Sequence, residues 1–154
     1  PGGVGEGDRG VQPRVTPHEA RQRFAAARVA RLATADAAGR PHIVPVTFAV
    51  DGDVVYTAVD AKPKQSPALK RLANVAANPA VALLVDHYAD DWNELWWVRA
   101  DGTGRVIDPE NPEGVRALSL LADRYRRFAA RGAVLAVDVH RWSGWAASAA
   151  TEEA

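Results

Sequence analysis

Tight turns between short β-rich runs constrain the fold of this chain more than any other feature of its sequence. Two such runs, residues 42–50 and 53–59, are separated by Asp51-Gly52, a dipeptide that favours a two-residue hairpin loop. Further strands are predicted at 29–35, 81–87, 94–107 and 133–139, the third of them as one strand or two. Parallel neighbours need a long crossover, whereas short connections join antiparallel strands. The sequence therefore predicts an antiparallel sheet or barrel rather than a parallel βαβ fold.

Three helices are predicted among these strands. Thr16 and Glu19 form a capping box around Pro17 at the first helical position, which predicts a helix to about residue 28. A second helix is expected between Ser66-Pro67 and Asn78-Pro79. The longest begins at Asn111-Pro112 and is expected to end at Gly132. Its predicted apolar stripe consists of Val115, Leu118, Leu121, Ala122, Tyr125 and Phe128.

Length and charge restrict the classes of function. At 154 residues the chain is long enough for one domain, predicted at 16–146, between a disordered Gly-rich tail at 1–15 and a loose tail at 147–154. Its 19 basic and 19 acidic residues cancel, which argues against binding to nucleic acid or to a membrane surface. No apolar run is long enough to span a membrane, and no signal-peptide pattern opens the chain. We therefore expect a soluble, cytoplasmic protein.

Lysine is confined to one short stretch of an otherwise arginine-rich chain. The three lysines are Lys62, Lys64 and Lys70, and the first two lie just before the predicted second helix. A compact cationic loop at a helix N-terminus is suited to binding a phosphate. The alternative is a solvated basic loop, the more common role of such runs.

No catalytic or metal site is recognisable from residue types and spacing. Cysteine is absent, the four histidines lack metal-ligand spacing, and no GxSxG, SxxK or Walker pattern occurs. We predict no metal, and we interpret the arginines of residues 124–131 as complements to a helix dipole. A phosphate-binding loop together with five tryptophans, in a chain without an evident acid, base or nucleophile, favours a protein whose bound cofactor carries the chemistry.

Two further positions point to ligand or partner contacts. Pro45 lies inside a predicted strand, where a proline needs a sheet edge, a bulge or a ligand-covered backbone. Trp96 and Trp97 are adjacent on a strand and must point to opposite faces. One of them is therefore expected to meet a partner subunit, a ligand ring or a loop, with core packing as the alternative for either.

Six short motifs follow one another between residues 17 and 146: RPHIVPVTF at 40–48, VVYT at 54–57, KPK at 62–64, LKRL at 69–72, NPAV at 78–81 and RWSGW at 141–145. In order and spacing they resemble the pyridoxamine 5′-phosphate oxidase-like superfamily. Within it, the chain is most similar to the actinobacterial branch of flavin/deazaflavin oxidoreductases that use coenzyme F420.

This resemblance implies a mainly β fold, a six- to seven-stranded antiparallel split β-barrel with three flanking helices. It also implies a homodimer with two cofactor sites at the subunit interface. The residues that it assigns to the cofactor are Pro45, Val46 and Thr47 along the ring, Tyr56 and Thr57 near the phosphate, Lys62 and Lys64 on the phosphate, and Trp142 reaching the site from the other subunit.

The function that the resemblance implies is hydride transfer between coenzyme F420 and an unsaturated small molecule. The alternatives are an FMN-dependent oxidoreductase of the same fold and a non-catalytic flavin- or haem-binding protein. The oxidase itself has basic residues at the positions of His42 and Thr47 and a substrate-binding arginine near its C-terminus, which this chain lacks. Pyridoxamine phosphate is therefore disfavoured as substrate, and the case for FMN is weaker. Trp92, Trp96 and Asp90-Asp91 are candidates for the substrate rim, and the sequence identifies no proton donor.

Overall fold

The computed structural model describes residues 14–59 and 67–148. In these residues the elements are α1 (Pro17–Ala26), β1 (Ala30–Ala35), β2 (Pro41–Val46), β3 (Ala49–Asp51), β4 (Val54–Ala58), α2 (Pro67–Ala77), β5 (Ala80–His87), a short 3-10 helix (Trp92–Glu94), β6 (Trp96–Ile107), α3 (Pro112–Arg124) and β7 (Val134–Ala146). None of the described helices is long and apolar enough to cross a membrane.

The seven strands form one antiparallel sheet in the order β2-β1-β5-β6-β7-β4-β3. Strands β2 and β3 are the two edges, yet only Thr47 and Phe48 separate them in the chain. Three Cα–Cα steps reach about 11 Å, whereas seven flat strands would hold their edges about 29 Å apart. The sheet must therefore curl until the end of β2 lies near the start of β3, which confirms the predicted mainly β split-barrel architecture with three helices. We call the junction at residues 47–48 the barrel seam.

An aromatic cluster fills the interior of the barrel. Phe24 of α1 packs on Phe48 with ring centroids 4.8 Å apart and meets the edge of Trp142 at 5.4 Å. Phe24 and Phe48 are fully buried, and Trp142 is almost so. The helix that carries Phe24 begins as predicted, because the Thr16 hydroxyl accepts a hydrogen bond from the backbone N–H of Glu19 at 3.1 Å.

The predicted hairpin is confirmed, and the predictions for β6 and β7 are confirmed with refinements. Gly52 has a φ of +60° in the β3–β4 hairpin, as the Asp51-Gly52 signal requires. Strand β6 is a single strand, so Asp101-Gly102 is not a turn; its pairing shifts register there, with His140 of β7 as the extra residue opposite the dipeptide. Strand β7 continues past the predicted residue 139 to Ala146 and pairs with β6 along its length. Arg14, assigned to the N-terminal tail, forms an isolated bridge with Trp145.

Two predictions of element extent are wrong. The predicted strand 42–50 is divided at the barrel seam, because its two halves belong to opposite edges of the sheet. Helix α3 ends at Arg124 and not at Gly132, and Tyr125 already has the extended φ and ψ of −121° and 116°. Val115, predicted in the apolar stripe of this helix, is 55% exposed, while Gly114, Ala117 and Leu121 are its buried residues.

Candidate functional site

A cavity of about 700 Å³ opens beside the barrel seam. Its walls come from five parts of the chain: the α1–β1 connection, the seam, the end of β4, helix α2, and the segment that follows α3. The lining residues are Arg28, Thr47, Ala58, Arg71, Tyr125, Arg126, Arg127, Phe128, Ala129 and Ala130. Four of these ten are arginines and none is acidic. The cavity is therefore suited to an anionic ligand with a flat apolar portion.

Arg71 is the best indication that this cavity binds an anion. Its side chain is half-buried on α2, and its Nε atom is inaccessible to solvent without a hydrogen-bond partner among the described residues. Burial lowers the pKa of the Arg71 guanidinium below its ordinary value, although an arginine stays cationic at neutral pH. A desolvated cation without a partner is costly and is characteristic of a site that a ligand completes.

The other three arginines differ in how they are held. Arg28 stacks on the Tyr125 ring, its guanidinium carbon 4.5 Å from the ring centroid, and donates a hydrogen bond to the carbonyl of Arg124 at 3.0 Å. Arg126 and Arg127 are exposed and form no ion pair with the part of the chain that the structure describes. These two side chains are available to a ligand at the cavity mouth.

The ring-contact residues predicted from the sequence lie at or next to the seam. Thr47 lines the cavity. Val46 is buried in the core, and Pro45 is exposed on β2, an edge strand. Of the three settings predicted for Pro45, the structure shows the sheet edge. Of the three, only Thr47 faces the cavity directly.

The structure does not bring Tyr56 or Thr57 into the cavity wall, although Ala58 of the same strand lies there. The Tyr56 hydroxyl donates a hydrogen bond to Glu113 of α3 at 2.7 Å. Burial and this negatively charged partner raise the pKa of Tyr56 to about 12. Thr57 is 2% exposed and belongs to the barrel interior. In this chain Tyr56 joins a helix to the sheet.

Arg105 is the centre of that connection. It donates two hydrogen bonds to Glu113, at 2.7 and 2.8 Å, and two to Asp138 of β7, at 2.6 and 3.0 Å. Hydrogen bonds from Arg105 and Tyr56 lower the pKa of the Glu113 carboxyl to about 2. The same two carboxylates raise the pKa of Arg105. This network docks the N-terminal end of α3 on the sheet, away from the segment that lines the cavity.

The remaining predicted cofactor residues are apart from the cavity or outside the description. Trp142 lies in the barrel core, where its indole N–H donates to Asp53 at 2.9 Å. Lys62 and Lys64 lie outside the described residues. Their segment follows β4 and precedes α2, and Ala58 and Arg71 from those two elements both line the cavity.

The tryptophans of the predicted substrate rim do not line this cavity. Trp92 is 71% exposed on the 3-10 helix that Asp91 caps. Trp96 lies against His87, with centroids 6.0 Å apart, and Arg23 covers its ring at 5.1 Å. Trp97 points to the opposite face, as predicted, and borders a smaller cavity of about 460 Å³.

Sequence reasoning missed the arginines that dominate the cavity. Arg124 is structural, as predicted: its guanidinium bonds the carbonyl of Ala27 and lies 4.8 Å from the Phe48 ring centroid. Arg126 and Arg127 lie beyond the end of α3, so the helix-dipole interpretation does not apply to them. Arg71 has a sequence signal, since it directly follows Lys70 in the first turns of a helix after a basic loop. No group of three or more metal-ligating side chains occurs among the described residues.

A family model described as pyridoxamine 5′-phosphate oxidase matches residues 16–146. No curated protein matches the chain. Similar solved structures include a conserved hypothetical protein from Mycobacterium tuberculosis, with a TM-score of 0.69 and 19% identity over 86% of both chains. A FAD-binding protein from Mesorhizobium loti has a TM-score of 0.65 and 24% identity over 85% of this chain and 94% of its own. The haem storage protein HutZ from Vibrio cholerae has a TM-score of 0.63 and 14% identity over 84% and 90%. At these identities the structural likeness shows the fold alone.

Proposed function

The chain belongs to the pyridoxamine 5′-phosphate oxidase family, and on that premise we propose that it is an oxidoreductase that binds coenzyme F420 in the cavity at the barrel seam. When bound, this deazaflavin supplies a hydride to an unsaturated small molecule or accepts one from it. The protein provides the phosphate contacts, the ring platform and the exclusion of water.

The Arg71 guanidinium carries this proposal, because its buried Nε has no hydrogen-bond partner among the described residues. A phosphate oxygen would complete its hydrogen bonding and neutralise its charge, which removes the cost of the desolvated cation. The sequence positions of Lys62 and Lys64, between two elements that line the cavity, support a phosphate site with both lysines as further ligands. Thr47 and the half-buried ring of Phe128 offer the nearest surface for a tricyclic ring.

The number of arginines supports F420 ahead of FMN. Arg126 and Arg127 are free of ion pairs among the described residues, in addition to Arg71. FMN has one phosphate, whereas F420 has a phosphodiester followed by a chain of carboxylates. A cavity with more unpaired cations than one phosphate needs favours the ligand with the longer anionic tail.

A homodimer with the cofactor site at the subunit interface is part of the proposal. The outward face of β2, β1 and β5 carries an apolar patch: Ile43 is 65% exposed, and a shallow groove beside it is lined mainly by alanine, valine and proline. An exposed apolar face of this kind is typical of a protein–protein contact. Light scattering should give the mass of a dimer, and Ile43→Asp should shift it toward a monomer. A monomeric wild-type protein would contradict this part of the proposal.

Two other ligands follow from solved structures of similar fold. One of them is a FAD-binding protein, which keeps an FMN- or FAD-type flavin as the second candidate. Another is a haem storage protein. Haem ranks third. Its usual axial ligands besides tyrosine are His, Cys and Met, but no described lining residue is His and the chain has no Cys or Met.

Parallel titration of the purified protein with F420, FMN and haem, followed by absorbance and fluorescence, tests the proposal. We expect F420 to bind most tightly and reduced F420 to be oxidised by members of a quinone and enone panel. Tight FMN binding without F420 binding would refute the assignment of the cofactor. F420 binding without turnover on the whole panel would instead favour a carrier or storage protein.

A further inference from the structure

Tyr125 occupies an unusual position at the barrel seam. It is the first residue after α3, and its extended backbone turns the side chain back toward the sheet. The hydroxyl accepts a hydrogen bond from the backbone N–H of Phe48 at 3.2 Å. It lies 2.9 Å from the carbonyl oxygen of Phe48 and 3.0 Å from that of Arg28, so its single proton serves one or the other.

The Phe48 backbone needs such a partner because of how the barrel closes. Phe48 lies between β2 and β3, outside both strands, and its side chain is completely buried. Its peptide groups therefore cannot join a strand ladder, and buried backbone groups must find another partner. The phenolic oxygen of Tyr125 accepts from the N–H, and its proton is within reach of the Phe48 C=O or of the Arg28 C=O.

The same hydroxyl connects three wall segments of the cavity that are far apart in sequence. Arg28 belongs to the α1–β1 connection, Thr47 precedes Phe48 at the seam, and Tyr125 begins the segment 125–130. The ring is held as well: the guanidinium carbons of Arg28 and Arg124 lie 4.5 and 5.5 Å from its centroid. Loss of the hydroxyl would leave all three segments less well placed relative to one another.

We propose that Tyr125 is the positioning residue of this cavity, and that its hydroxyl sets the location of the Thr47-Phe48 backbone against which the ligand ring lies. The assignment to a cofactor ring rests on the proposed function, whereas the seam contact itself does not. A misplacement of about 1 Å caused far from the reacting atoms can cost about 100-fold in rate. Tyr125 needs no contact with reacting atoms in this role.

Tyr125→Phe removes the hydroxyl and keeps the ring, and Tyr56→Phe is the matched control. Tyr56 also donates its hydroxyl between α3 and the sheet, but it does not line the cavity. Titration with F420 should show an about tenfold higher Kd for Tyr125→Phe, equivalent to about 1.4 kcal/mol. The absorption band of the bound cofactor should also shift. Tyr56→Phe should stay within about twofold of wild type, without a spectral change. Equal weakening in both variants, at matched thermal stability, would overturn the proposal.

Hydrogen exchange of the unliganded protein tests the seam contact without any cofactor. In wild type the Phe48 amide should exchange as slowly as the paired amides of β1, although residue 48 lies outside the strands. Tyr125→Phe should accelerate that amide selectively, and Tyr56→Phe should not. A Phe48 amide that exchanges rapidly in wild type would refute the positioning role even if Tyr125→Phe did not fold. Binding of neither F420 nor FMN to wild type, with a protected Phe48 amide, would refute the proposed function and its ring assignment but leave the seam contact established.

Discussion

Replacement of Arg71 by methionine should change stability and ligand affinity in opposite directions. Methionine keeps an unbranched apolar stem and removes the charge, which has no partner at Nε among the described residues. In the unliganded protein the substitution removes the free-energy cost of a desolvated cation. In the complex it deletes a ligand to the phosphate. A residue that merely covers the surface would show neither effect.

The expected magnitudes follow from the state of the side chain. An unsatisfied buried polar group costs about 1–3 kcal/mol, and the lower end applies because Arg71 is only half-buried. We therefore expect Arg71→Met to raise the free energy of unfolding by about 1 kcal/mol, or the Tm by about 2–4 °C for a domain of this size. A charge-assisted hydrogen bond to a phosphate contributes roughly 1.5–3 kcal/mol. Its loss should raise the Kd for F420 about 10- to 150-fold.

Two assays on one preparation of Arg71→Met test both expected changes. Urea unfolding without ligand gives the stability, and fluorescence titration with F420 gives the affinity. Arg40→Met is the control, because Arg40 is exposed in the β1–β2 turn and should change neither quantity. Lower stability of Arg71→Met would refute the description of Arg71 as an uncompensated charge. Unchanged affinity for F420 would exclude Arg71 as a phosphate ligand.

Three further predictions concern the loop, the ion network and the hairpin. Lys62→Ala combined with Lys64→Ala should raise the Kd for F420 at least tenfold, since each charge-assisted hydrogen bond contributes roughly 1.5–3 kcal/mol; unchanged affinity in the titration would make both lysines ordinary surface residues. Glu113 has a folded pKa of about 2 against an ordinary 4.5, so its contribution is complete above about pH 4.5 and is lost as the pH falls toward 2. At neutral pH, urea unfolding should show Glu113→Gln roughly 1–2 kcal/mol less stable than the exposed control Glu110→Gln, after discounting for partial exposure. A difference in unfolding free energy that stays constant down to pH 2.5 would count against the network. Gly52→Ala should lower the free energy of unfolding by about 1 kcal/mol, because Gly52 has a φ of +60°, and should leave the affinity for F420 unchanged. An unchanged melting temperature would mean that the hairpin can adopt another turn type.

Local signals in the sequence predicted the elements whose geometry depends on a few neighbouring residues. The capping box of Thr16 and Glu19 starts α1, and Asp51-Gly52 forms the hairpin. These contacts form within three or four residues, so the residue types that favour them are visible in the sequence itself. The family resemblance added the barrel and singled out residues 45–47, which lie at or next to the seam.

The cavity could not be predicted from local patterns, because its residues are brought together by closure of the sheet. Arg28, Thr47, Arg71 and Arg126 are far apart in the chain, and nothing local to any of them shows that they share a cavity. The division of the predicted strand 42–50 has the same cause, since only closure makes its two halves opposite edges.

The sequence by itself thus determined the antiparallel strands and the helix starts, since hydrogen bonding and backbone preference act over a few residues. Only the tertiary structure decided which charges lack partners and which hydroxyl serves the seam. Tyr56 and Tyr125 are the same residue type and both contact the region between α3 and the sheet, but one bonds Glu113 and the other bonds the Phe48 backbone. That difference arises from contacts across 57 and 77 positions of the chain, where burial and pairing depend on the whole fold.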